Sequence, residues 1–263
     1  MSKQMIFTEI KKGYAILNIK RDPVNSMNLA LWQALSSEVK KLEADQSIRA
    51  VIFNSALERP IFTAGNDIME LYAPKTNLER FQSFWKVQNQ FLASLYNSRL
   101  TTVAAINGAC PAGGTCLSLV CDYRIATPDV SMGLNEVALG LTVPEYWMKL
   151  LVKVVGQTYA EKIILFAQMV NGKKALEINL IDRLVESREA LLPAAEETVK
   201  QLLKTPDSGR VICKNILREP LAKEWGDESR LAAESAQSWK LLSSPSTVKS
   251  LDGVFARLSK PKL

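Results

Sequence analysis

The sequence contains no histidine in 263 residues. That absence removes Ser-His-Asp and Cys-His triads and every His-ligated metal site. Cysteine is scarce. The four residues Cys110, Cys116, Cys121 and Cys213 include no Cys-x-x-Cys pair with zinc spacing. They read as reduced, packed thiols of an intracellular protein. No apolar run approaches the roughly 18 residues of a membrane span. No Gly-x-x-x-x-Gly-Lys-Ser/Thr or Gly-x-Gly-x-x-Gly run appears, so the usual nucleotide cradles are excluded. The net charge is +6, but its Lys and Arg residues are dispersed. A solvated basic surface therefore explains the charge better than a nucleic-acid patch. It also suits weak steering of a polyanionic small molecule. The N-terminal residues carry no signal-peptide h-region. The final Pro261-Lys262-Leu263 is one residue away from the peroxisomal Ser-Lys-Leu address.

What is present is an alternation of strands and helices. Tyr14 to Lys20 and Ala50 to Asn54 read as buried strands. Between them Asn28 is placed to cap a helix ending near Ala44, with Leu31, Trp32, Leu35, Val39 and Leu42 on one face. Pro60 to Ile68 crosses a turn into a short helix, and a long helix covers about Leu78 to Asn97. Thr102 to Ile106 is a strand feeding a glycine turn, with a helix starting near Gly113. Tyr123 to Ala126 is a further strand. Beyond Pro144 the chain reads as mostly helical, and its last sixty or so residues hold no strand. This alternation predicts an α/β protein. We divide it into a core over 1–200 that carries the site and a helical region over 201–263. The helical region has to bury its apolar stripe on the core or on another subunit.

The chemistry left by these absences is carboxylate acid/base work assisted by backbone donors. Gly113-Gly114 follows a strand and opens a helix, which leaves backbone N–H groups unpaired at a positive helix end. Ala64-Gly65-Asn66-Asp67 is a second strand-to-helix turn of the same kind. Two such turns could give two donors to one oxygen, each worth on the order of 3 kcal/mol in a transition state. Glu136 lies between Leu134 and Val137-Ala138-Leu139. An acid in that setting should have a raised pKa through desolvation, which suits a base that takes and returns a proton. The residues alone leave the plainer alternative open: two ordinary helix entries and an exposed glutamate at a turn.

Five segments in order extend this reading: Pro23-Val-Asn-Ser-Met-Asn28, Phe62-Thr-Ala-Gly-Asn-Asp-Ile68, Ala105-Ile-Asn-Gly-Ala-Cys-Pro-Ala-Gly-Gly114, Cys121-Asp-Tyr-Arg-Ile125 and Gly133-Leu-Asn-Glu136. Together, over about Tyr14 to Val185, they resemble the crotonase, or enoyl-CoA hydratase/isomerase, superfamily. Asn107-Gly-Ala-Cys-Pro-Ala-Gly-Gly114 and Gly133-Leu-Asn-Glu136 are most similar to its mitochondrial Δ3,Δ2-enoyl-CoA isomerase branch. The resemblance implies a crotonase-type spiral of ββα turns with a C-terminal α-helical trimerisation region, hence a homotrimer. It implies an acyl-CoA substrate whose thioester oxygen lies between the N–H groups of Asn66 and Gly113, with Glu136 as the catalytic acid/base. Ala64, Gly65, Asn66, Asp67 and Ile68 would line the CoA and thioester channel, and Asn135 would sit beside the acyl chain. The loop Val24 to Ser26 would border the adenine end.

The implied reaction needs no metal or other cofactor, because coenzyme A arrives as part of the substrate. In water-adding members a second glutamate falls where this chain has Cys116. Diene isomerases add an aspartate, and none lies between Glu136 and Gly156. Asn66 also departs from the small or apolar residue usual at its place. The implied activity is isomerisation of 3-enoyl-CoA to trans-2-enoyl-CoA in fatty-acid β-oxidation, in the mitochondrial matrix or, by the C-terminal tripeptide, a peroxisome-like organelle. The alternatives are an enoyl-CoA hydratase and a non-catalytic RNA-binding protein on the same fold.

Overall fold

A computed structural model describes residues 4–258. The strands are β1 (Ile6–Lys11), β2 (Tyr14–Ile19), β3 (Ala50–Ser55), β4 (Thr101–Ile106), β5 (Ala109–Pro111), β6 (Tyr123–Ala126), β7 (Ser131–Gly133) and β8 (Arg183–Leu184). The helices of the first half are α1 (Leu29–Ala44), α2 (Ile68–Leu71), α3 (Leu78–Tyr96) and α4 (Gly113–Leu119). A 3₁₀ turn covers Glu136–Leu139. The second half adds α5 (Glu145–Val155), α6 (Gln157–Leu165), α7 (Gly172–Glu177), α8 (Arg188–Leu202), α9 (Asp207–Gly226), α10 (Glu228–Leu242) and α11 (Pro245–Leu258).

Six strands form one sheet in the order β1-β2-β3-β4-β6-β8. Only the β1–β2 hairpin is antiparallel. Both faces are covered, so β2 and β4 are buried at every position and read as continuous apolar runs. Ile16, Ile52, Val103 and Ile125 meet Leu191, Ala195 and Val199 of α8 on one face. Leu17, Val51, Phe53 and Ala104 face the main core with α1 and α3 on the other.

A second layer of short parallel pairings runs beside the first. β5 pairs with β7, and single bridges join Met27 to Asn66 and Ile61 to Ala109. From β2 to β6 each strand of the main sheet therefore leads into a short pairing and then into a helical segment, as in β4, β5, α4 or β6, β7 and the 3₁₀ turn. That repeat is the spiral of ββα turns. The Asn28 side chain caps α1 by accepting from Leu31 N–H at 3.0 Å, as its position predicts.

Both edges of the sheet depart from the sequence reading. β1 was not foreseen: it is exposed at Lys11 and several other positions and lacks a clear period. The two-residue β8 interrupts the mostly helical second half at the sheet edge. The helical region packs on the core, one of the two places expected for its apolar stripe. α9 and α10 pack on α3, and the buried indole of Trp225 donates to Asn89 Oδ1 at 2.9 Å. Among the described residues no helix is long and apolar enough to cross a membrane. Pro261-Lys262-Leu263 lies outside the described residues.

Candidate active site

β7 passes through Leu134 and Asn135 into the 3₁₀ turn, and Glu136 is that turn's first residue. Gly140, with φ +74°, ends the turn in a conformation that favours glycine. Glu136 is 8% exposed, and its Oε2 meets no hydrogen-bond partner among the described residues. Burial is the main cause that raises its carboxyl from the ordinary 4.5 to about 7, opposed weakly by its own backbone N–H. No second carboxylate contributes to that rise. The titratable group that Glu136 does act on is a thiol. Cys116 of α4 is fully buried, and burial first, then the nearby Glu136, holds its pKa well above the ordinary thiol range. Cys116 is therefore a neutral neighbour.

The two glycine turns abut. A Cβ on Gly65 would lie 3.0 Å from Pro111 O, and Gly65 has φ +84°. A Cβ on Gly114 would come within 2.4 Å of Thr63 Cγ2. Only bare backbone lets these turns approach so closely. Met27 fastens the first turn, donating to Gly65 O at 2.8 Å and accepting from Asp67 N–H at 3.0 Å. The Asn66 N–H between those bonds donates to no protein acceptor among the described residues. The same holds for Gly113 N–H at the start of α4. Ala112, just before it, has φ 52° and ψ −122°, which turns the Ala112–Gly113 peptide out of the helical run. Strain of this kind persists where surrounding contacts enforce it, and here Ala112 N–H donates to Gly133 O at 2.7 Å. Two free N–H donors thus sit on adjoining turns.

Glu136 and the Asn66 side chain line one narrow cavity with Trp85, Leu141, Trp147 and Leu242. Asn66 Oδ1 accepts from the Trp32 indole at 3.2 Å. The other residues singled out from sequence are placed less directly. Ala64 is exposed, and its N–H donates to Val24 O at 2.9 Å. Asp67 is tied up structurally, capping α2 through Met69 N–H at 3.1 Å and pairing with Arg21 at 2.9 Å. Ile68 opens α2 and packs partly against the core. Asn135 is half-buried next to Glu136 but does not line the cavity. A larger surface groove of about 870 Å³ lies between α1, α3 and α9. None of the titratable groups lining it is buried, whereas the smaller cavity is lined by the buried Glu136. Among the described residues no three His, Cys, Asp or Glu side chains are grouped as metal ligands.

The chain matches the enoyl-CoA hydratase/isomerase family over residues 9–254. It belongs to that family. Among its relatives, enoyl-CoA delta isomerase 1, mitochondrial, of Mus musculus is 32% identical over 261 residues, covering 98% of this chain and 88% of the relative. The Homo sapiens protein of the same name is 33% identical over 254 residues, covering 95% and 82%. The crystal structure of human mitochondrial delta3-delta2-enoyl-CoA isomerase superposes with a TM-score of 0.90 at 32% identity, over 97% of this chain and 98% of that one. The enoyl-CoA hydratase from Bacillus halodurans shares the fold at TM-score 0.86 but only 20% identity, over 95% and 100%. The crotonase-type spiral expected from sequence is thus the fold of this chain. The sequence reading missed the cavity wall contributed by α3 and α10. Trp85 carries no motif, and Leu242 reads only as an apolar position of an amphipathic helix.

Proposed function

We propose that the protein is a Δ3,Δ2-enoyl-CoA isomerase of fatty-acid β-oxidation, shifting the double bond of 3-enoyl-CoA thioesters to trans-2-enoyl-CoA. The observation that carries this reading is the buried Glu136, with a bare Oε2 and a neutral thiol where a second acid would stand. Glu136 as carboxylate takes the proton from the α-carbon. The C–H pair forms the C1–C2 double bond, and the carbonyl pair moves to the thioester oxygen. The N–H groups of Asn66 and Gly113 stabilise that developing charge. As the carbonyl re-forms, the C1–C2 pair becomes the C2–C3 double bond and the old C3–C4 pair is pushed onto the γ-carbon, where it bonds the proton returned by Glu136. The substrate and product are isomers, so no electron is gained or lost and no redox partner is called for. One base suffices because the proton is conserved, whereas adding water calls for groups that hold and activate it. Coenzyme A enters as part of the substrate, with Ala64, Gly65, Asp67 and Ile68 along its channel and Asn135 beside the acyl chain.

The names of the mouse and human relatives support this reading, as does their mitochondrial location for a matrix enzyme. Assembly as a homotrimer is supported by apolar side chains left in solvent on α9: Ile212, Ile216 and Leu217 are 60%, 70% and 78% exposed. Such a patch is costly on a monomer and ordinary at a subunit contact. The deciding experiment incubates the protein with 3-hexenoyl-CoA and, separately, with 2-hexenoyl-CoA, then separates isomer from 3-hydroxy product. Isomer from the first and little hydroxy product from the second is expected. Fast hydration with no isomerisation would replace this reading with the hydratase one.

A further inference from the structure

Gln88 lies on α3 in a stretch that is otherwise fully accounted for. Its neighbour Asn89 donates to Trp85 O at 2.9 Å and accepts from the indoles of Trp147 and Trp225 at 3.1 and 2.9 Å. Gln88 is 0% exposed, yet neither Nε2 nor Oε1 meets a partner among the described residues. The side chain lines the same cavity as Glu136. Most of the surrounding wall is apolar, with Leu71, Phe81, Trp85, Trp147 and Leu241 contributing. Buried amides are normally hydrogen-bonded, and each exception calls for an explanation. A leucine or methionine would close this wall without that cost. The partner of the amide is therefore to be sought in what enters the cavity.

We propose that Gln88 is a specificity residue of this cavity: its amide receives a hydroxyl on the acyl chain, so that the site prefers oxygen-bearing acyl thioesters to plain hydrocarbon ones. The inference rests on the isomerase reading proposed above, and takes the cavity lined by Glu136 as the place of the acyl chain. The chemistry is complementary, because a hydroxyl both donates and accepts, so it can satisfy Oε1 or Nε2. A methylene satisfies neither and leaves the amide bare. A site built to hydrogen-bond a hydroxyl discriminates against the analogue lacking it.

The test is calorimetric binding of saturated esters, which cannot isomerise. Octanoyl-CoA is compared with hydroxyoctanoyl-CoA esters bearing the hydroxyl at carbon 5, 6, 7 or 8, on wild type, Gln88→Met and Gln88→Leu. Wild type is expected to bind at least one hydroxy ester about tenfold more tightly than octanoyl-CoA, which corresponds to about 1.4 kcal/mol. Either folded variant should lose that preference and bind octanoyl-CoA more tightly than wild type does. Equal affinity across the scan in wild type would overturn the proposal, with the amide then holding only water. So would a preference that persists in both variants. If no acyl-CoA ester binds, the acyl-site reading falls and this inference with it. If esters bind and 3-hexenoyl-CoA isomerises without hydroxyl discrimination, this inference alone falls.

Discussion

Replacing Glu136 by glutamine perturbs catalysis and folding in opposite directions, and both effects can be sized. Lifting a carboxyl from 4.5 to about 7 costs the folded state about 3 kcal/mol once the group ionises, at about 1.4 kcal/mol per tenfold in proton affinity. Below pH 4.5 the group is protonated in folded and unfolded chains alike, and the stability associated with the neutral form is fully present. Between 4.5 and 7 the unfolded chain releases its proton while the folded one keeps it, so stability falls as pH rises. Above 7 the loss is complete. Glutamine cannot ionise. Urea unfolding at pH 4 and pH 8.5 should therefore show the variant gaining about 3 kcal/mol on wild type between the two conditions.

Isomerisation should fall by about 10²- to 10⁴-fold in the same variant, the usual range for a lost acid/base group. In wild type, kcat/KM should climb with pH and reach half its plateau near 7, because the base works only as carboxylate. Two results would refute the reasoning independently. A folded Glu136→Gln protein with wild-type turnover would remove Glu136 from the chemistry. Wild-type and variant stabilities running parallel from pH 4 to 8.5 would mean that the carboxyl is not desolvated.

Three further outcomes follow from packing. Gly114→Ala places a Cβ against Thr63, whose Oγ1 accepts from Gly65 N–H at 3.0 Å. It should destabilise the fold by about 1–3 kcal/mol and displace the Asn66 donor, lowering kcat about tenfold or more in steady-state assays with little change in KM. Asp122→Asn strips the counter-charge from buried Lys214, which donates to Asp122 Oδ2 at 2.8 Å and whose pKa burial already pulls down. Denaturant unfolding should show a loss of about 3 kcal/mol, and a change below 1 kcal/mol would count against an isolated ammonium there. Ile216→Glu with Leu217→Glu should leave a folded protein of lower mass by light scattering if α9 forms the subunit contact.

Much of the fold could be read from sequence because its elements carry local signals. Asn28 and the Leu31, Trp32, Leu35 face define α1 through capping and period, and the apolar runs of β2 and β4 announce strands buried on both sides. Glu136, Gly65 and Gly113-Gly114 were candidates on local grounds, with ordinary helix entries and a turn glutamate left open, until the five ordered segments of the family resemblance gave them roles. The cavity was not legible in the same way. Its walls come from α3, α5 and α10, far apart in sequence, and an amphipathic stripe reads alike whether it faces a core or a substrate. Gln88 illustrates the limit, since a single glutamine in a helix carries no signal until tertiary contacts show that it is buried and unpartnered.

The neutrality of Cys116 bears on both the proton affinity and the reaction. Burial alone already brings Glu136 to about 7, where a base can both take and return a proton near neutral pH. A second carboxylate at Cys116 would be buried within electrostatic reach of Glu136. Two like charges there cannot both ionise readily, so the pair would hold one proton and titrate as a unit. Cys116→Asp is accordingly expected to move the pH midpoint of isomerisation above that of wild type and to lower the rate at pH 7. Cys116→Ser, which keeps the position uncharged, should leave the midpoint where it is. Rate–pH profiles with 3-hexenoyl-CoA for the three proteins measure this directly. An unshifted midpoint in a folded Cys116→Asp protein would mean that position 116 does not face the base, and the argument for a single-acid reaction would lose its structural footing.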